Sequence, residues 1–434
     1  MKNSIFIFIL GFAFSIFSCS STNGPTGKDG QDETKETENA DGYKKVSLKS
    51  EITSVQPMTG IVLWTTSGKR TSDAISLEYS YLLYSDVVKQ KGIYDWSKFD
   101  NLLNEVAKRG HQAVVRFRYV YVGDKESAVP QYIRDLSDYE ETIGMSEGRE
   151  TCFPDWRHAE LQRFHLEFYQ KFAEKYDNDP RLAFLQTGFG LWAEYHIYDG
   201  PMIAGRTFPS KEFQQTFFQE MSKNFKNTPW NISIDASDNK YGPFVMNPTL
   251  KDLKFGLFDD SFMHKSHASY NTSCWNFFDR NRYKHSPAGG EFSYYTTDDQ
   301  KHVLDYPDGI HGRNFESEAE KFHITYMIGN DQTKYQTIER IKQASMACGY
   351  RYKITGFGVK ENTSRVKVKN TGVAPIYYNA YITVNGVRCK DSLIDLQPGE
   401  EKLYEISSGG ETPVLTIECD RLVEGQKIEF EADI

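Results

Sequence analysis

The stretch "LAFLQTGFGLWAEYH" (182–196) decides how this chain is read. It begins as a near-continuous apolar run, the signature of a strand buried on both faces. Glycines then interrupt it, and a carboxylate, Glu194, follows among aromatic rings. Runs of the same β type recur along the chain as "GIVLWTT" (60–66), "ISLEYSYLLY" (75–84), "QAVVRFRYVY" (112–121), "WNISID" (230–235), "FGLFDD" (255–260), "PAGGEF" (287–292) and "HITYMIG" (323–329). Helical patterns lie between most of them. Phe99, Leu102, Leu103 and Val106 recur at helical spacing in 95–110, and Leu161, Phe164, Phe168 and Phe172 in 158–176. Helices are expected over 211–225 and 338–348 as well.

Buried strands alternating with such helices argue for a parallel sheet covered by helices, and eight units over roughly 290 residues suit a (β/α)8 barrel. The weakest joint is the first, where about ten residues separate the first two strands. After Gly349 the texture changes to short alternating runs separated by "NTG", "NGV", "QPGE" and "SSGG". This predicts a small antiparallel β-sandwich over 351–434, behind a barrel spanning 51–350. The sandwich lacks Trp and a ligand-lining cluster, so its expected task is structural support.

The start of the chain reads differently. Lys2, an apolar run from Ile5 to Phe17 and "IFSC" ending at Cys19 make 1–19 a secretory signal, and the cysteine resembles the lipidation site of bacterial lipoproteins. An ordinary signal peptide with an incidental cysteine is the alternative. Residues 20–50, polar and charged at their start, are expected to form a flexible tether. These features place the folded part in the cell envelope, at the outer membrane, facing the periplasm or the surface and held by a lipid anchor at Cys19. The remaining cysteines match neither paired zinc sites nor a dense disulfide framework, although a Cys389–Cys419 bridge would fit the C-terminal part. The net charge of −9 without a basic block argues against a nucleic-acid partner. No P-loop, dinucleotide fingerprint or G-x-S-x-G elbow occurs; "GFGLWA" lacks the second half of the fingerprint.

In such a barrel the active site forms at the C-terminal ends of the strands. Counting from periodicity puts Glu194 just past the fourth strand and Glu291, in "SPAGGEFSYY" (286–295), at the end of the seventh. Two facing carboxyls are what glycoside hydrolysis needs, one protonated to assist the leaving oxygen and one ionised. Rings around Glu194 suit it to the acid/base role, which leaves Glu291 as nucleophile. Glutamates at these positions resemble those of the clan GH-A glycosidases, which are retaining enzymes. The segment 77–118, with its G-x-Y-D-W-like turn, resembles the early part of such enzymes. The whole of 57–434 is also similar to a bacterial lipoprotein family of unknown function that pairs a glycosidase-like barrel with a small β-domain. The resemblance implies a carbohydrate substrate, no cofactor and no metal, and the chain is expected to be a monomer. One departure stands out. The clan's acid/base glutamate usually follows an asparagine, and here Ala193 occupies that place.

Supporting residues follow from the same placement. Arg116 and Arg118 alternate with Val115 and Phe117, so they face one side together. If that side is the interior, one of them could pair with Glu291 and keep it ionised; a structural ion pair is the alternative. His196, Asp235 and His264 are candidates for contacts with sugar hydroxyls, and Trp192, Tyr195, Trp275 and Tyr294 for stacking on sugar faces. Asp259 and Asp260 with the histidines beyond them match no specific metal-ligand spacing. Ala193 favours the rival reading, a glycan-binding lipoprotein without turnover.

Overall fold

The computed structural model describes residues 41–434, so the apolar leader, the lipidation candidate Cys19 and most of the expected tether lie outside the described residues. Eight strands close into a barrel: β1 (Gly60–Trp64), β2 (Leu77–Leu83), β3 (Gln112–Arg118), β4 (Leu182–Thr187), β5 (Trp230–Ser233), β6 (Gly256–Phe262), β7 (Ala288–Phe292) and β8 (Tyr326–Ile328). Every neighbouring pair is parallel, including β8 with β1, which closes the ring. The β1–β2 connection contains turns and no helix, consistent with its short length.

Alternation along β3 sorts its side chains. Ala113, Val115 and Phe117 pack outward with the helices, while Val114 joins an inner cluster with Val62, Leu77 and Tyr79. The helix Ala159–Tyr176 shows why the outer layer holds. Its N-cap, His158, accepts a bond from the Glu160 amide, and Leu161, Phe164, Phe168 and Phe172 form one buried stripe. The Phe168 ring meets Phe117 of β3 edge-on at 4.8 Å. Removing such a ring from a core typically costs about 3–5 kcal/mol.

The C-terminal part forms two further sheets. One contains β9 (Tyr352–Val359), β10 (Ser364–Asn370), β13 (Glu401–Ile406) and β15 (Phe430–Asp433); the other contains β11 (Ala380–Val384), β12 (Val387–Arg388) and β14 (Leu415–Cys419). Side chains of both sheets share one apolar cluster with Val62, Leu77, Val114, Ala183 and Tyr326 near the beginnings of the barrel strands. Arg421 reinforces this contact by donating to the carbonyls of Asp177 and Leu182 at 3.0 and 2.9 Å. The N-terminal end of the barrel is therefore covered, and the barrel and these sheets belong to one compact unit.

Two expectations need correction here, and the possible Cys389–Cys419 bridge is not formed. The larger C-terminal sheet is mixed, because β9 and β15 run parallel. Residues 43–50 are not tether: Tyr43 is buried, Lys44–Lys45 pair with Gly358 and Val359, and Lys49–Ser50 pair with Ala432 and Asp433. Cys389 and Cys419 are free thiols, as are Cys152, Cys274 and Cys348. Among the described residues no helix is long and apolar enough to cross a membrane.

Candidate active site

The loop after β4 is shaped by what its glycines leave out. Phe189 and Gly190 donate to the Glu194 carbonyl at 3.2 and 2.8 Å, and Leu191 donates to that of His196 at 3.0 Å. A Cβ on Gly188 would sit 2.1 Å from the Ala193 carbonyl oxygen, and one on Gly190 would sit 1.8 Å from that of His196. The "GFG" sequence thus lets the loop fold back onto itself. The Glu194 amide closes a tight turn on Leu191 at 2.9 Å, with Trp192 (φ 53°) and Ala193 (φ 56°) both left-handed. Left-handed backbone costs a non-glycine residue roughly 1–2 kcal/mol, so the strain of this turn sits at Trp192 and Ala193, directly before Glu194.

Arg116, fully buried on β3, is the hub of the site. Its guanidinium donates to Gln186 Oε1 at 3.0 and 2.7 Å, to the Trp192 carbonyl at 3.2 Å and to Glu194 Oε1 at 3.3 Å. Asp260 Oδ1 lies 3.6 Å away, and the guanidinium carbon stands 4.3 Å above the Phe258 ring. Gln186 in turn donates to the Tyr326 hydroxyl at 2.9 Å. The Tyr326 ring occupies the space a Cβ on Gly289 would need, 2.4 Å from its nearest carbon. Gly289 therefore makes room for a ring inside the barrel.

Glu291 stands at the end of β7, in register with Ile328 of β8, and retains a partial opening to solvent. Burial, then the charge of Glu194, push its carboxyl up to about 8, against the pull of Arg116. This reverses the ionised state expected for it from sequence. The anticipated pairing is corrected too. Arg116 turns to Glu194 and Asp260, while Arg118 pairs with Asp124 at 2.9 Å and covers the Tyr121 ring. His196 joins the cluster through Nδ1, 2.5 Å from Asp235 Oδ2, and Nε2, 3.1 Å from Glu194 Oε2. Burial disfavours the imidazolium, yet Asp235 and Glu194 raise it well above the ordinary histidine range. Asp260 is raised well above the usual carboxylate range by burial and by Glu194, and it accepts from Ser233 Oγ at 2.5 Å.

Around these groups runs an arc of rings. Trp64 and Tyr81 lie 5.6 Å apart, Tyr81 and Tyr121 6.3 Å, Tyr121 and Trp192 6.2 Å, and Trp192 and Tyr198 5.9 Å, centroid to centroid. Tyr294 and Tyr295 are exposed after β7, and His264 lies against Tyr295 with centroids 4.3 Å apart. Two stacking candidates belong elsewhere. Tyr195 is wholly buried, donates to Gln214 at 2.8 Å and packs on Phe189, Phe208 and Phe218. Trp275 is buried against Phe322 and donates to Asp259 Oδ2 at 3.1 Å. The sequence reading named Asp260 only beside Asp259 and passed over Gln186 and Tyr81. Strand phase separates the two aspartates, since Asp260 shares the inward phase of Phe258 on β6 while Asp259 faces Trp275.

No family model and no curated protein matches this chain. Its fold is similar to solved glycoside-acting enzymes. The catalytic domain of a β-amylase from Paenibacillus polymyxa shares 11% identity at a TM-score of 0.45, over 68% of this chain and 99% of that one. A GH36 α-galactosidase from Geobacillus stearothermophilus shares 10% at 0.37, over 81% of this chain and 55% of that one. A GH5_18 protein from Bifidobacterium longum shares 8% at 0.41, over 67% and 78%. Likeness this distant transfers neither residues nor activity, and the barrel assignment rests on the strand pairing itself.

Proposed function

We propose that the barrel mouth hydrolyses a glycosidic bond by retaining double displacement, with roles opposite to those expected from the sequence. The observation that carries this reading is the pair of carboxyls on β7 and the β4 loop, Glu194 held by Arg116 and Glu291 left without an ion-pair partner among the described residues, its carboxyl pushed up to about 8 by burial and by Glu194. Glu291 gives its proton to the leaving glycosidic oxygen as a Glu194 oxygen bonds to the anomeric carbon. The resulting Glu291 carboxylate then takes a proton from water, whose oxygen displaces Glu194 and releases the sugar. The aromatic arc from Trp64 to Tyr198 supports a carbohydrate substrate, because ring faces pack on sugar C–H faces.

Lipidation at Cys19, an envelope location and a monomeric state complete the proposal, together with a C-terminal sandwich that serves as structural support. The test is turnover of a panel of aryl glycosides, with the anomer released first read by proton NMR. Retention of configuration supports the reading. Inversion removes the covalent step. Binding of glycans without hydrolysis favours the rival, a non-catalytic glycan receptor, for which the prior engagement of Glu194 by Arg116 and His196 speaks.

A further inference from the structure

The contact between His196 and Glu194 is unusual. Nδ1 of His196 faces Asp235 at 2.5 Å, which fixes that nitrogen as the donor when the ring is neutral. Nε2 points at Glu194 Oε2, 3.1 Å away, and the neutral ring would present its lone pair there. Nε2 is buried and has no aligned hydrogen-bond partner. A second buried atom, Asp260 Oδ1, also lacks a hydrogen-bond partner, on a side chain only 8% exposed. One ligand atom from each of Glu194, His196 and Asp260 lies within 4.8 Å of the other two.

We propose that Glu194, His196 and Asp260 bind one divalent transition-metal ion of the Zn2+ type, with Asp235 orienting the histidine. Zn2+ bonds to imidazole and carboxylate at about 2.0–2.2 Å, which small side-chain rotations in this group would meet. The Asp235–His196 bond is the outer support that metal-bound imidazoles commonly have. An imidazole nitrogen among the donors favours Zn2+ over Mg2+ or Ca2+. Arg116 does not preclude the ion. It holds Oε1 of Glu194 and leaves Oε2 on the His196 side. A cation held this way would occupy Glu194 and so inhibit hydrolysis. That consequence rests on the hydrolase reading, whereas cation binding does not.

The experiment is calorimetric titration of ZnCl2 into the EDTA-treated, dialysed protein, with MgCl2 and CaCl2 for comparison. One Zn2+ per chain with micromolar or tighter affinity is expected. His196→Gln and Asp260→Asn should each weaken it at least tenfold, and Asp235→Asn by about tenfold. Melting curves establish that the variants are folded, and the visible spectrum of Co2+ added to the native protein gives a readout that needs no variant. Absence of stoichiometric Zn2+ binding, unaltered aqueous Co2+ bands, or full affinity in folded His196→Gln and Asp260→Asn would each overturn the proposal. Zn2+ binding without glycoside turnover would sink the hydrolase reading alone, and turnover without Zn2+ binding the cation site alone.

Discussion

Replacing Glu291 by glutamine should make the protein more stable at neutral pH and no more stable in mild acid. The native carboxyl titrates near 8 instead of 4.5. Between those values the unfolded chain has lost the proton that the native chain keeps, so stability falls as pH rises through this window. Near pH 7 the gap of about 2.5 units corresponds to about 3.4 kcal/mol, at about 1.36 kcal/mol per unit. Partial exposure of Glu291 to water reduces this to about 2–3 kcal/mol. Glutamine keeps the shape and cannot ionise, so it removes the penalty. With an unfolding entropy of about 2.1 cal/mol/K per residue over roughly 390 residues, the gain is about 3 °C in Tm. Scanning calorimetry of both proteins near pH 4.5 and near pH 7.5 measures it. The two should melt together in acid and separate at the higher pH, with the variant on top. A gap that does not widen with pH, or a variant that melts lower near pH 7.5, would show that Glu291 is ionised in the native state and would refute the reasoning.

Two substitutions in the β4 loop should act in opposite directions. Gly190→Ala drives a methyl to 1.8 Å from the His196 carbonyl and should cost about 3 kcal/mol in urea unfolding, whereas Ala193→Gly relieves a left-handed residue and should gain about 1 kcal/mol. Equal signs would contradict the loop geometry. Tyr195→Phe should lower stability by about 1 kcal/mol through its lost hydrogen bond, and Trp275→Phe by more because it also leaves a cavity, while both leave KM for any glycoside substrate unchanged. A several-fold rise in KM for either would return that ring to the binding surface.

Much of the architecture was legible because it depends on local pattern. The eight strands announce themselves as buried runs, and the phase of "VVRFR" already set Arg116 opposite Val115. What was missed depends on partners far along the chain. The strands at 44–45 and 49–50 are too short to show a period, and they exist because residues 358–359 and 432–433 offer edges to pair with. Tyr195 directly follows Glu194, yet the tight turn sends it outward into the Phe189–Phe218 core. The state of Glu291 was not legible either. It is set by burial and by Glu194 from the β4 loop, and only the assembled barrel brings these together.

The mechanism turns on which carboxylate attacks the anomeric carbon. Incubation with a panel of 2-deoxy-2-fluoro glycosides bearing a dinitrophenolate leaving group, followed by peptide mass spectrometry, tests it directly. One covalent glycosyl adduct per chain is expected, carried by the peptide containing Glu194 and absent from Glu194→Gln. An adduct on Glu291, or no adduct with a substrate that the enzyme turns over, would contradict it.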